Sequence, residues 1–319
     1  MYTEAVVVHT EGLCKSYDTI NAVNSLDLNI KKNTIVGFLG PNGAGKTTTI
    51  KLLLGLTRPT SGNATVFGHD IVTDSIEIRK RVGYLAQDPC FYDYMTARET
   101  LRFVARFYFS GPQQAIEQRV NETLANIGLE HYADRPIRGF STGERQRLGI
   151  GQACINSPDL LILDEPAASL DPMGRRDVLE LLRELRHQTT IIYSTHILDD
   201  VQRVSDMVAI INRGHLVSFS PIEQLLSGNN EIVYSLVIRG DASQAQASVS
   251  SQPWVSSIDV TSNNGQTIWQ VKVTDDKAAE EQLLPLIMAN GQMTVCEFKR
   301  KEYELEEVFM QILDGSDND

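Results

Sequence analysis

The chain has 319 residues, of which 42% are hydrophobic and 22% charged, ordinary globular material long enough for two domains. No run approaches the roughly 18 apolar residues of a membrane span, the start Met1-Tyr2-Thr3-Glu4 lacks the basic character of a signal peptide, and Cys14, Cys90, Cys154 and Cys296 are too scattered for a metal site or a disulfide framework. The formal net charge of −12 argues against a partner bound through nucleic-acid phosphates.

In chain order, residues 5–10 (A-V-V-V-H-T) and 24–30 are predicted as antiparallel strands. Tyr17 lies on their connection; an aromatic there packs against neighbours in most proteins, and stacking on a base is the alternative. Residues 35–39 form a short apolar run that reads as a buried strand, and apolar residues at helical spacing follow from Thr47 to Leu54. Between them stands Gly40-Pro41-Asn42-Gly43-Ala44-Gly45-Lys46-Thr47, followed by Thr48, a match to G-x-x-x-x-G-K-[ST] in its strand–loop–helix context. Glycines at 40, 43 and 45 let backbone N–H groups approach an anion, and the helix start adds unpaired N–H groups. Lys46 supplies a full charge for β- and γ-phosphates, and the Thr47 hydroxyl is a ligand for Mg²⁺.

Residues 64–67 and 81–85 are predicted as further strands, with Gln87 after the second and the aromatics Phe91, Tyr92 and Tyr94 just beyond it. Those three are core residues or the lining of a partner groove. T-A-R-E from Thr96 is a capping box opening a helix toward Tyr108, and a second helix spans 115–127 with Gly128 as its stop. Ser141-Thr142-Gly143-Glu144 is another capping box, and the glycine in its first turn makes a second anion site plausible. Residues 160–164 (L-L-I-L-D) read as a buried strand ending in Asp164-Glu165, where a carboxyl strand end of an α/β protein meets its ligand. Asp164 suits Mg²⁺ held through water, and Glu165 suits the orientation and activation of water. A helix over 177–186, a strand over 190–193 leading to His196, and a hairpin around Asn212-Arg213-Gly214 complete this part.

Beyond Pro221 the surface changes: residues 222–319 carry 6 basic and 16 acidic side chains, against 23 and 25 in residues 1–221. Strands over 231–238, 255–261, 267–273 and 293–299, helices over 241–250 and 276–289, and a last helix over 304–313 give the order β-α-β-β-α-β plus a helix, the split βαβ of a ferredoxin-like module. Asn263-Asn264-Gly265 is its hairpin turn, and no catalytic constellation falls within it.

Over residues 1–221 these motifs, in this order, resemble the ATPase subunit of ATP-binding-cassette (ABC) transporters. Gly40–Thr47 is similar to the Walker A loop, and Asp164 and Glu165 to the Walker B aspartate and catalytic glutamate. Gln87 resembles the Q-loop residue that senses Mg²⁺ and links to the permease, and Ser169-Leu170-Asp171 the D-loop. His196 resembles the switch histidine at the γ-phosphate, and Tyr17 the aromatic that stacks on adenine. The signature departs: the usual L-S-G-G-Q reads Phe140-Ser141-Thr142-Gly143-Glu144, keeping the serine and glycine that touch the partner's ATP and replacing an amide with a charge. As the capping-box residue, Glu144 is expected to point back at its own helix start. Leu305-Glu306-Glu307-Val308-Phe309 resembles the tail of subunits serving ABC-2-type exporters of drugs, antibiotics, sodium or polysaccharide.

The resemblance implies an α/β fold over 1–221, a P-loop NTPase core with antiparallel β and helical subdomains; the element order beyond it reads as a small α+β ferredoxin-like domain over 222–319. It implies ATP hydrolysis with Mg²⁺, a homodimer or paired ATPase subunit, an integral membrane permease on a separate chain, and a peripheral position on the cytoplasmic face of the membrane. A non-transport ABC ATPase with a regulatory, translation or repair role is the alternative. Translation-type members carry two cassettes in one chain and repair-type members long coiled coils or zinc-binding Cys pairs, and this sequence has one cassette and neither feature.

Overall fold

The computed structural model describes residues 6–226, 232–240, 242–263, 266–289, 293–300, 306 and 309. They divide into two compact units that part between Ile222 and Glu223.

In the first unit, β1 (Val6–Tyr17) and β2 (Ile20–Lys31) pair as a long hairpin, and β4 (Ser61–Val66) and β5 (His69–Asp70) extend that antiparallel sheet in the order β2-β1-β4-β5. Both hairpin strands run beyond the predicted 5–10 and 24–30, because register shifts near Leu13 absorb the residues that break strict alternation. A six-stranded sheet follows: β3 (Ile35–Leu39), β6 (Val82–Leu85), β7 (Leu160–Asp164), β8 (Thr190–Thr195), β9 (Met207–Asn212) and β10 (His215–Pro221), in the order β10-β9-β3-β8-β7-β6. Its strands are parallel except for β10 at the edge.

Both faces of that sheet are buried, which is why β3, β7 and β8 are continuous apolar runs. Side chains alternate between two cores. Leu160 and Ile162 point into the one that includes α1 (Lys46–Leu53) and the antiparallel sheet, and Leu161 and Leu163 into the one built on α5 (Thr142–Cys154) and α6 (Pro172–Leu185). Shorter α2 (Ser75–Arg81) and α7 (Leu198–Val204) flank the sheet. A helical layer of α3 (Ala97–Tyr108) and α4 (Gln113–Asn126) packs on α5. Its caps are the predicted ones: Thr96 accepts the Glu99 N–H while Glu99 binds back to the Thr96 N–H, and Gly128 takes φ +65 after α4. Helix α6 starts five residues before the predicted 177, since Asp171 caps it and Pro172 sits at its first position.

The boundary falls at the first residue of α8 (Ile222–Leu226), which otherwise belongs to the second unit. Strands β11 (Ile232–Gly240), β12 (Val255–Asn263), β13 (Gln266–Val273) and β14 (Met293–Arg300) form one antiparallel sheet in the order β12-β13-β11-β14, and α9 (Ser243–Ser250) and α10 (Asp276–Met288) contribute Ala245, Val249, Leu283 and Ile287 to its core. That order is the ferredoxin-like split βαβ. Helix α10 carries Pro285 inside it, as the sequence required. Asn263 pairs with Gln266; Asn264 and Gly265 of the predicted turn, and most of the predicted helix over 304–313, lie outside the described residues. Among the described residues no helix is long and apolar enough to cross a membrane.

Candidate functional site

The site forms where β3, β8 and β7 end side by side. After Leu39 the backbone turns through Gly40 to Gly45 and enters α1. Glycine is required at both ends of this turn. A Cβ on Gly40 would meet the Ile211 carbonyl oxygen at 2.1 Å; Gly45 has φ +108 and its Cβ would meet the Ala22 carbonyl at 2.3 Å. The loop is thereby wedged between the main chains of β2 and β9. Gly214 reinforces this by donating its N–H to the Ala44 carbonyl at 2.9 Å. Helix α1 has no acidic residue in its first turn, so its free N–H groups and positive pole are left uncompensated by its own side chains. Lys46 is buried; its Nζ donates to the carbonyls of Gly40 (2.7 Å) and Pro41 (3.2 Å) and lies 3.4 Å from Glu165 Oε1.

The parallel register of β7 and β8 sets Asp164 beside Ser194. Ser194 Oγ donates to Asp164 Oδ1 at 2.5 Å and accepts the Glu165 N–H at 2.9 Å. This one buried hydroxyl fixes both carboxylates. Thr47 Oγ1 donates to the same Asp164 oxygen at 3.2 Å. Glu165 sits at φ +51, a left-handed backbone that turns its side chain back over the strand ends. Its carboxylate is buried, with Lys46 against one oxygen and His196 Nδ1 at 3.0 Å from the other. Behind His196, Thr195 Oγ1 accepts the Ile197 N–H and donates at 3.5 Å to the buried carboxylate of Asp200, which Arg175 Nε binds at 2.5 Å. Burial pushes the Asp200 carboxyl up, and Arg175 offsets part of that rise.

The structure thus brings together Lys46, Thr47, Asp164, Glu165 and His196. Ser141, Gly143, Glu144 and Asp171 gather around a separate depression where α5 and α6 begin. Ser141 accepts the Glu144 N–H at 3.2 Å, and Glu144 Oε2 takes the Ser141 N–H at 2.7 Å, the expected capping box; Asp171 accepts the Gly174 N–H at 3.0 Å. Tyr17 ends β1, exposed at the hairpin tip with Lys15 Nζ 4.8 Å from its ring centre. Pro41, Asn42 and Gly43 are exposed on the loop, Ala44 is buried beneath it, and Thr48 is half-buried in α1. Gln87 stands apart, exposed two residues beyond β6. The aromatic group after it splits: Phe91 packs against the core, whereas Tyr92 and Tyr94 are exposed at 58% and 76%. Ser194, Arg175 and Asp200 belong to these constellations, as does Arg135, whose Nη2 donates to Glu144 Oε2, and no sequence motif marks any of the four. The apolar strand over 190–193 ahead of an Asp164-bearing neighbour was the available signal for Ser194.

Comparison with known proteins agrees with this geometry. The family model described as ABC transporter matches residues 23–168. The chain is 39% identical to the bacitracin transport ATP-binding protein BcrA of Bacillus licheniformis, over 71% of this chain and 74% of that one. It is 32% identical to the daunorubicin/doxorubicin resistance ATP-binding protein DrrA of Streptomyces peucetius, over 96% and 92%. Among solved structures, CbiO1 of Clostridium perfringens, part of the ABC transporter complex CbiONQ, superposes with a TM-score of 0.66 at 29% identity over 70% of this chain and 92% of that one. The phosphate loop, the paired carboxylates and these relatives together establish that the chain belongs to the family of ABC transporter ATP-binding proteins.

Proposed function

We propose that the chain hydrolyses ATP with Mg²⁺ as one of two paired ATPase subunits that drive an exporter permease carried on a separate chain. The observation that carries this reading is the Glu165 carboxylate, buried between Lys46 at 3.4 Å and His196 at 3.0 Å, beside the Thr47–Asp164 contact.

The phosphate loop and α1 offer N–H groups to the triphosphate, and Lys46 supplies the charge. Moving the Lys46 ammonium from Glu165 to phosphate oxygens leaves that carboxylate free to take a proton from water. His196 orients it from the other side. The hard oxygens of Thr47 and Asp164 lie 3.2 Å apart and fit Mg²⁺; they would hold it, and when bound it neutralises phosphate charge. Tyr17 stacks on the base.

Ser141, Gly143 and Asp171, gathered on their own around the start of α5, complete the ATP site of the paired subunit. Each nucleotide then bridges two chains, and hydrolysis releases them. Tyr92 and Tyr94, exposed with ring centres 5.8 Å apart, support a permease docking face there. The subunit works at the cytoplasmic face of the membrane, where ATP is supplied. Export of a drug or antibiotic rests on the named roles of BcrA and DrrA. Residues 222–319, without a phosphate-binding feature, act as an accessory domain in dimer contacts or regulation.

Steady-state ATP turnover by the purified chain, with and without Mg²⁺, tests the enzymatic half, and co-isolation of a membrane partner from native membranes tests the other. Mg²⁺-dependent turnover, and loss of the partner on Tyr92→Ala/Tyr94→Ala in a folded protein, are expected. A chain that binds ATP but never turns it over, alone or on its membranes, contradicts the proposal.

A further inference from the structure

Glu144 presents a difficulty for the start of α5. A carboxylate in the first helical turn answers the helix's own positive pole, and it opposes the anion that Ser141 and Gly143 are proposed to receive. The charge is present at neutral pH: burial alone raises the Glu144 carboxyl, but the Ser141 N–H and Arg135 outweigh it and hold the group below the usual carboxylate range. Arg135 is built into place beside it. Its Nη2 donates to Glu144 Oε2 at 2.5 Å, the same oxygen that takes the Ser141 N–H. Its guanidinium lies 4.6 Å from the Tyr132 ring centre and 4.7 Å from that of Phe140, the residue that precedes the cap. One oxygen therefore ties three things together: the cap, the charge, and an arginine held by two aromatic rings.

We propose that Arg135 is a positioning and charge-balancing residue for the proposed paired ATP site: it cancels Glu144 and locks the Ser141 turn so that the free N–H groups at the start of α5 face the partner's triphosphate. Ser141 Oγ accepts the Glu144 N–H, which holds the hydroxyl in the turn where Ser141 lines the depression at the start of α5. Glu144 thus acts as an internal cap whose charge is consumed by Arg135 before an anion arrives. The site needs the pair, or neither charge.

This assignment rests on the ATP-bridged reading above, and one experiment separates the two. In the chain carrying Glu165→Gln, a change expected to slow hydrolysis, ATP-driven pairing is measured by light scattering across protein concentrations for the parent, Arg135→Met, Glu144→Gln and the Arg135→Met/Glu144→Gln double variant. ATP affinity of each monomer is measured below the pairing concentration. Arg135→Met is expected to weaken pairing by about tenfold to a hundredfold, since two symmetric sites are affected at once, with monomer ATP affinity unchanged. The double variant is expected to return to within about threefold of the parent, because no carboxylate is left to balance. A double variant as weak as Arg135→Met overturns the charge argument, and Arg135→Met pairing like the parent overturns the assignment alone. A parent that binds ATP but does not pair overturns the ATP-bridged reading and this assignment with it.

Discussion

Replacing Ser194 by alanine tests how the two carboxylates are held. The hydroxyl is fully buried between β7 and β8, donating to Asp164 Oδ1 at 2.5 Å and accepting the Glu165 N–H at 2.9 Å. Ser194→Ala removes both bonds and adds no new group. The Glu165 N–H is left buried without its acceptor, at about 1–3 kcal/mol, and Asp164 loses a charge-assisted donor worth about 1.5–3 kcal/mol. The desolvation of the hydroxyl itself is no longer incurred, so the net loss is about 2–4 kcal/mol. For a unit of this size each kcal/mol moves Tm by about 2–4 °C, which places the expected fall at roughly 4–16 °C. The effect on turnover has a separate cause. Glu165 holds a left-handed backbone, φ +51, partly through that N–H bond, so its carboxylate should wander from the point between Lys46 and His196. Calorimetry gives Tm and a coupled ATPase assay gives kcat. Ser194→Ala with Tm within about 1 °C of wild type and unchanged kcat would refute the view that one hydroxyl positions both groups.

Three further outcomes are expected. Gly45→Ala should abolish ATP binding by calorimetry, because φ +108 and the Ala22 carbonyl at 2.3 Å leave no room for a methyl without moving the loop; full binding would show the loop to be pliant. Tyr17→Ala should weaken ATP binding by about fivefold to 150-fold, the equivalent of about 1–3 kcal/mol of base stacking, and Tyr17→Trp should restore it. Glu144 has its folded-state pKa below its unfolded value, so its contribution to stability is present above the ordinary carboxylate pKa and is lost as pH falls through the depressed one. Urea titrations should therefore show wild type more stable than Glu144→Gln at neutral pH, with the gap closing in acid; a gap independent of pH would contradict the assigned charge.

Most of the candidate site was legible because its structure is set locally. Gly40 to Thr47, the Asp164-Glu165 strand end and the Ser141–Glu144 capping box each lie within a few residues, and backbone geometry fixes what they face. Ser194 and Arg135 were not legible for the opposite reason. Ser194 acquires its role only when the sheet order β3-β8-β7 sets it against Asp164, and Arg135 only when nine residues of chain fold it back onto Glu144 between Tyr132 and Phe140. The same holds for the Arg175–Asp200 pair, which joins the start of α6 to the segment after β8. The start of α6 lies ahead of its amphipathic stretch, and its signal is the Asp171 cap followed by Pro172 rather than apolar spacing. The aromatics after Gln87 read as one cluster in sequence, and only packing separates buried Phe91 from exposed Tyr92 and Tyr94.

The central claim is that Glu165 activates water for ATP hydrolysis while ATP itself joins two subunits. Glu165→Gln keeps the size and hydrogen bonding of the side chain and removes the base. Its turnover and its molecular mass in ATP and in ADP, read by light scattering, test the claim together. The account predicts hydrolysis slowed by about 10²–10⁴-fold, ATP binding retained, and a dimer that accumulates in ATP but not in ADP. A Glu165→Gln protein that hydrolyses ATP at the wild-type rate would contradict it.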